Sequence, residues 1–63
     1  MRGKILSFFT AGGYGHLCDD QSDEYCFYSK DLKTATGQVQ IGDQVRFDVY
    51  RGRGVRAVNV HAG

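Results

Sequence analysis

Short β-prone runs interrupted by glycine limit the folds open to this sequence more than any other feature. Valine, isoleucine, phenylalanine and tyrosine concentrate in these runs, and apolar residues do not recur at the spacing that an amphipathic helix needs. Glycine accepts positive φ angles and aspartate forms local hydrogen bonds in turns, so the glycine- and aspartate-rich points between the runs are expected to be turns. The pattern predicts an all-β chain.

Five strands are expected, and the segment after the third is the least strand-like part of the chain. The predicted strands are Gly3–Phe9, Tyr14–Cys18, Glu24–Tyr28, Gln44–Tyr50 and Val55–His61. One helical turn is expected at Ser29–Leu32, with a loop after it. Because closure removes exposed sheet edges, five short strands favour a small, partly open, five-stranded antiparallel barrel. Side-chain alternation predicts a core of Ile5, Leu17, Cys26, Val45, Phe47, Val49, Val58 and Val60.

Chain length and charge narrow the classes of function. A chain of 63 residues forms one small domain, here residues 1–63, with little room for a deep catalytic pocket. The net charge of +1 gives no indication of polybasic binding to polyanions by the whole surface. The charge is nevertheless uneven, because acids concentrate between Asp19 and Asp31 and arginines between Arg46 and Arg56.

Neither catalytic nor metal-binding patterns occur in the sequence. The two cysteines, Cys18 and Cys26, are too few for a disulfide scaffold and lack metal-ligand spacing. No spacing of serine, threonine and histidine indicates an activated nucleophile. The chain begins without an apolar signal segment, and no run is long enough to span a bilayer. We therefore expect a cytoplasmic domain that is not an enzyme, holds no metal or cofactor and makes no membrane contact.

Two aromatic clusters carry the functional signal. Gly13-Tyr14-Gly15-His16-Leu17 and Tyr25-Cys26-Phe27-Tyr28 lie on neighbouring predicted strands, and Phe8-Phe9 lies just upstream. Rings that alternate along adjacent strands project from one face of a sheet, and unpaired nucleic-acid bases stack on such exposed rings. On a regular strand only one ring of the Phe8-Phe9 pair faces outward. The clusters indicate binding of single-stranded nucleic acid.

Five segments of the chain, taken in order, follow the pattern of one known family. They are Gly3-Lys4-Ile5 with Phe8, Gly13–Leu17, Asp23–Ser29, Gly42–Phe47 and Ala57–Val60. Together they resemble a cold-shock domain, an OB-fold barrel of five strands that binds single-stranded RNA and DNA. The second and third segments are similar to the two RNP motifs of that family. The resemblance covers nearly the whole chain.

The resemblance implies single-strand binding with low sequence specificity and a role as an RNA chaperone. The implied stacking residues are Phe8, Tyr14, His16, Tyr25, Phe27 and Tyr28. Phosphate contacts are expected from Lys4, Arg51, Arg53 and Arg56. In the pattern of the family, Phe8 faces outward and Phe9 inward, although the reverse is open near a strand end.

Three positions depart from the family pattern. Ser7 stands where the family has a surface tryptophan, and Leu6 and Gly12 stand where it has lysines. The loss of one stacking ring lowers the expected affinity by roughly one to two orders of magnitude. The alternative is a cold-shock-like barrel with weakened nucleic-acid binding, which contacts another protein or forms a homodimer through its apolar rings.

Overall fold

All five predicted strands are present in the computed structural model, which describes residues 1–63, and each lies within one residue of its expected bounds. The strands are β1 (Arg2–Phe9), β2 (Tyr14–Asp19), β3 (Glu24–Tyr28), β4 (Gln44–Arg51) and β5 (Val55–Ala62). The expected helical turn is a single 3₁₀ turn at Ser29–Asp31. No helix in the structure has the length and apolar character needed to cross a membrane.

The strands form a closed barrel in the order β1-β2-β3-β5-β4, with β4 paired back to β1. The five-stranded barrel is confirmed, but the expectation of a purely antiparallel sheet is wrong at one contact. Strands β3 and β5 run parallel and pair at Cys26 and Arg56. A closed ring with an odd number of strands cannot alternate direction throughout, so one neighbouring pair must be parallel.

Nine buried apolar residues form the core. Five of the eight predicted core residues are among them, namely Ile5, Leu17, Val45, Phe47 and Val60. The prediction is wrong for Cys26 and Val58, which are half-buried, whereas Val49 is half-buried but packs against the core. Phe27 and Ala57 are buried in β3 and β5, and Leu32 and Val39 contribute from the segment between β3 and β4. The errors in β3 and β5 have identifiable causes in the register.

Asn59 forms a β-bulge that shifts the alternation of β5. Arg46 pairs with His61 and Asp48 with Val58, so β5 has one more residue than β4 between these pairs. Asn59 has a φ of 52° and donates a hydrogen bond from Nδ2 to Asp48 Oδ2 at 3.1 Å. Asparagine adopts this left-handed conformation more readily than most residues. The bulge explains why Ala57 and Val60, three residues apart, both face the core.

A second bulge, in β1, reverses the faces of the sheet to which Phe8 and Phe9 point. Ile5 pairs with Leu17 and Ser7 with His16, so Leu6 is an extra residue in β1. A bulge shifts side-chain alternation by one position. The sequence beyond it therefore directs Phe8 inward and Phe9 outward, the reverse of the family pattern.

The register between β2 and β3 directs Phe27 into the core. Leu17 pairs with Tyr25 and Gly15 pairs with Phe27, and directly paired residues share a face of the sheet. The turn that sets this register is organised by Asp19, whose Oδ1 accepts backbone N–H bonds from Gln21 and Asp23 at 2.9 and 3.0 Å. Since Leu17 is fully buried, its partner and the residue two further along β3 also face inward.

Replacing the bulge residue tests this account. Asn59→Ala should lower the free energy of unfolding by about 1–2 kcal/mol, because alanine is strained in the left-handed conformation. Asn59→Gly, which tolerates that conformation, should stay close to the parent. Chemical denaturation of the three proteins measures the difference. Equal stability of the alanine variant and the parent would contradict a left-handed residue at this position.

Candidate functional site

Four exposed rings and one arginine form a continuous stripe across the outer surface of the barrel, with one residue from each strand. We call Phe9, Tyr14, Tyr28, Arg56 and Tyr50 the ring stripe. Phe9 pairs with Tyr14, Tyr14 with Tyr28, and Tyr50 with Arg56 in the strand register. All four rings are exposed, by 41% for Tyr14 and up to 60% for Phe9. The stripe exists because the barrel places β5 beside β3 and β4 beside β5.

Side-chain contacts join Phe9 to Tyr14, and Arg56 to both Tyr28 and Tyr50. The centroids of the Phe9 and Tyr14 rings are 5.7 Å apart, with the ring planes tilted by 49°. The Arg56 guanidinium carbon lies 5.6 Å from the Tyr28 ring centroid and 5.1 Å from that of Tyr50. These distances are within the range of cation–π attraction. Arg56 therefore joins the β3 ring to the β4 ring.

Asp31, in the 3₁₀ turn, forms an ion pair with Arg56. The Asp31 side chain is buried, and its Oδ2 lies 3.4 Å from Arg56 Nε. The same oxygen accepts a hydrogen bond from the backbone N–H of Tyr28 at 2.9 Å. A buried carboxylate needs such partners, because desolvation of an unpaired charge is costly. The 3₁₀ turn thus anchors both Tyr28 and Arg56.

A groove of about 430 Å³ lies between Tyr28, Tyr50 and the β4–β5 hairpin, and Arg56, Arg53 and Val55 also line it. Lys30 Nζ also lies near Tyr28, 5.9 Å from the ring centroid. Positive charge therefore flanks the rings. The acidic turn at residues 19–24 lies at the opposite end of β2 and β3 from Tyr14 and Tyr28.

Several residues expected to bind are on this surface. Tyr14, His16 and Tyr28 are exposed, and Arg53 and Arg56 border the groove. His16 Nδ1 lies 3.3 Å from the Ser7 hydroxyl oxygen, with which it shares a hydrogen bond.

Two expected phosphate contacts lie away from the ring stripe. Lys4 is exposed, but it pairs with Cys18 and Gln44, several residues along the strands from Tyr14 and Tyr50. Arg51 follows Tyr50, so alternation directs it to the opposite side of β4.

Three of the six expected stacking rings face inward, and their assignment to the binding surface requires correction. Phe27 has no exposed area, and Phe8 stacks on it with a centroid distance of 5.9 Å. Tyr25 is half-buried and packs on Phe47 at 5.6 Å. The Leu6 bulge directs Phe8 inward, and the register of β3 against β2 directs Tyr25 and Phe27 inward.

Tyr50 and Lys30 belong to the site but were missed by the sequence reasoning. Tyr50 was predictable, since alternation from the buried Phe47 directs it outward. Phe9 faces outward, which is the arrangement that the sequence left open near a strand end. Lys30 has no sequence signal, because its position depends on the 3₁₀ turn that places it beside Tyr28.

The remaining polar groups define no second chemical centre. No group of three or more histidine, cysteine, aspartate or glutamate side chains is arranged to hold a metal ion, and both cysteines are free thiols. Tyr25 has a perturbed environment at the acidic end of the barrel, where its hydroxyl donates a hydrogen bond to Asp19 Oδ2 at 3.3 Å. Desolvation raises the pKa of Tyr25 above its ordinary value of 10.0, and the negative charge of Asp19 raises it further.

The fold is that of a cold-shock domain. A solved structure described as "drosophila Unr CSD456", which contains cold-shock domains of the Drosophila protein Unr, matches 98% of this chain with a TM-score of 0.78. Sequence identity in that match is 20%, and this chain covers 26% of the length of the Unr chain, so the likeness is one of fold. No protein-family model and no curated protein matches the sequence.

The raised pKa of Tyr25 predicts a loss of stability at alkaline pH. The folded state disfavours the phenolate, so Tyr25 contributes stability that is present below pH 10.0 and lost as the pH rises through its folded pKa. Tyr25→Phe should therefore show a shallower fall in unfolding free energy above pH 10.0 than the parent does. Denaturant titrations at several alkaline pH values measure this slope, and identical slopes for the two proteins would contradict the assignment.

Proposed function

We propose that this domain binds single-stranded nucleic acid by stacking unpaired bases on the ring stripe. The observation that carries the proposal is the row of four exposed rings across the barrel surface, with cations next to Tyr28 and Tyr50. Base–aromatic stacking tolerates any base, because every base has a π face. Low sequence specificity follows for the stacking contacts themselves.

The cold-shock fold supports this proposal, since the resemblance in sequence implies the same ligand class. The exposed rings differ from those that the sequence pattern implies. Phe9 and Tyr50 are exposed, whereas Phe8, Tyr25 and Phe27 face inward. The charges of Lys30 and Arg53, next to the rings, are positioned for phosphate groups of a bound strand. A strand held in this way has its bases occupied, which disfavours RNA secondary structure and is the basis of a chaperone role.

Ring substitutions test the stacking surface. Tyr14→Ala and Tyr28→Ala should each weaken binding of a pyrimidine-rich single strand at low salt by about 5- to 150-fold, because each ring stacks one base. Fluorescence anisotropy with labelled oligouridine or oligothymidine measures the affinities.

Two variants serve as controls. Ile41→Ala removes an exposed apolar side chain outside the ring stripe, and Tyr25→Phe alters an inward ring, so both should bind as the parent does. An effect of Tyr25→Phe equal to that of Tyr28→Ala would contradict the assignment of the binding face. A parent chain that binds no strand at submillimolar concentration would exclude the proposal and favour contact with a protein or a second copy, which light scattering detects.

Salt dependence tests the phosphate contacts. Lys30→Gln and Arg53→Gln should each reduce the slope of log affinity against log salt concentration by about 0.7, the value for one phosphate contact on a single strand. Arg46→Gln is the matched control, because Arg46 is exposed on β4 but pairs with Arg2 and His61 away from the rings. A similar reduction in the control variant would show that the overall charge governs binding.

A further inference from the structure

We infer that the groove beside Arg56 is a selective site for guanine within the bound single strand. This inference rests on the proposed single-strand binding and adds a base preference at one position. It is carried by the way in which Asp31, Tyr28 and Tyr50 present the Arg56 guanidinium group.

The guanidinium group is held at one end and free at the other. Arg56 Nε is buried beside Asp31 Oδ2, while the side chain as a whole is 29% exposed. The two terminal nitrogens of Arg56 donate no hydrogen bond within the protein, and the buried unpaired atom of this side chain is Nε alone. Their N–H groups form a pair of parallel donors at the surface of the groove.

The two neighbouring rings determine what reaches these donors. The guanidinium carbon lies between Tyr28 and Tyr50, at 5.6 and 5.1 Å from their centroids. Because the guanidinium group covers the ring faces that it contacts, a base reaches it edge-on from the groove and not by stacking on those faces. The groove volume of about 430 Å³ is in the range of small-molecule sites.

A pair of parallel N–H donors matches a base edge with two adjacent acceptors. Guanine presents O6 and N7 side by side, whereas adenine presents N7 beside an amino donor at the same edge. The paired contact of arginine with guanine discriminates against other bases by about 5- to 150-fold. Guanine is therefore the base that this groove should select.

Asp31 favours a base over a phosphate group at this position. Its carboxylate balances the positive charge of Arg56 and so reduces the attraction of the guanidinium group to phosphate, which depends on net charge. The terminal N–H donors are unaffected by this neutralisation. Asp31 is thus a positioning residue, which holds the side chain by an ion pair at Nε and leaves the outer donors for a neutral acceptor pair.

Base replacement in a fixed strand tests the inference on the unmodified protein. The probes are oligouridine strands in which the central base is uracil, guanine, adenine, cytosine, inosine or 7-deazaguanine. Guanine and inosine, which both keep O6 and N7, should bind at least about fivefold more tightly than uracil. Adenine, cytosine and 7-deazaguanine, which lacks N7, should remain near uracil.

The outcomes separate this inference from the proposed function. Equal affinity for all six strands, or tighter binding of cytosine or 7-deazaguanine than of inosine, would overturn the guanine site while single-strand binding stands. No binding of any strand would overturn both.

Variants locate the preference. Arg56→Lys keeps the charge but loses the paired donors, so the ratio of guanine to uracil affinity should fall to about one. Asp31→Asn should reduce the same ratio, because the guanidinium group loses its anchor. Arg46→Lys is the matched control and should leave the ratio unchanged. An equal loss of affinity for guanine and uracil in Arg56→Lys would assign Arg56 to a phosphate contact and overturn the inference.

Discussion

The Phe27 ring packs over the backbone of Gly15, and this contact determines which side chains of β3 reach the surface. A Cβ atom at Gly15 would lie 2.8 Å from Phe27 Cζ and 2.4 Å from the Ser7 carbonyl oxygen, so glycine alone leaves room for the ring. With Phe27 in the core, alternation directs Cys26 and Tyr28 outward. The ring stripe therefore depends on an interior contact between β2 and β3.

Two β-bulges, in β1 and β5, set which side chains of these strands face the core and which face the surface. The extra residue Leu6 directs Phe9 outward beside Tyr14, and the extra residue Asn59 directs Val60 into the core. Bulges also increase the local twist that a small barrel needs for closure. Closure brings β5 next to β3, and only then does an arginine of β5 lie among the rings.

The ion pair between Asp31 and Arg56 connects this surface to the 3₁₀ turn. It leaves a positive group between two tyrosine rings without adding a large net charge to the domain, which carries +1 overall. In the proposed binding mode, affinity comes from stacking and selectivity from directed hydrogen bonds, with phosphate attraction as a smaller contribution. The small phosphate contribution agrees with the sequence, in which Leu6 and Gly12 stand where the family pattern has lysines.

The sequence by itself determined the strands, the helical turn, the barrel and most of the core, because these follow from local preferences and the period of two along a strand. It did not determine which rings of Phe8, Phe9 and Phe27 face outward, since one bulged residue or a change of register reverses a strand without altering its composition. The tertiary structure alone decided that Arg56 meets Asp31 and Tyr50, because only barrel closure brings these separate segments together.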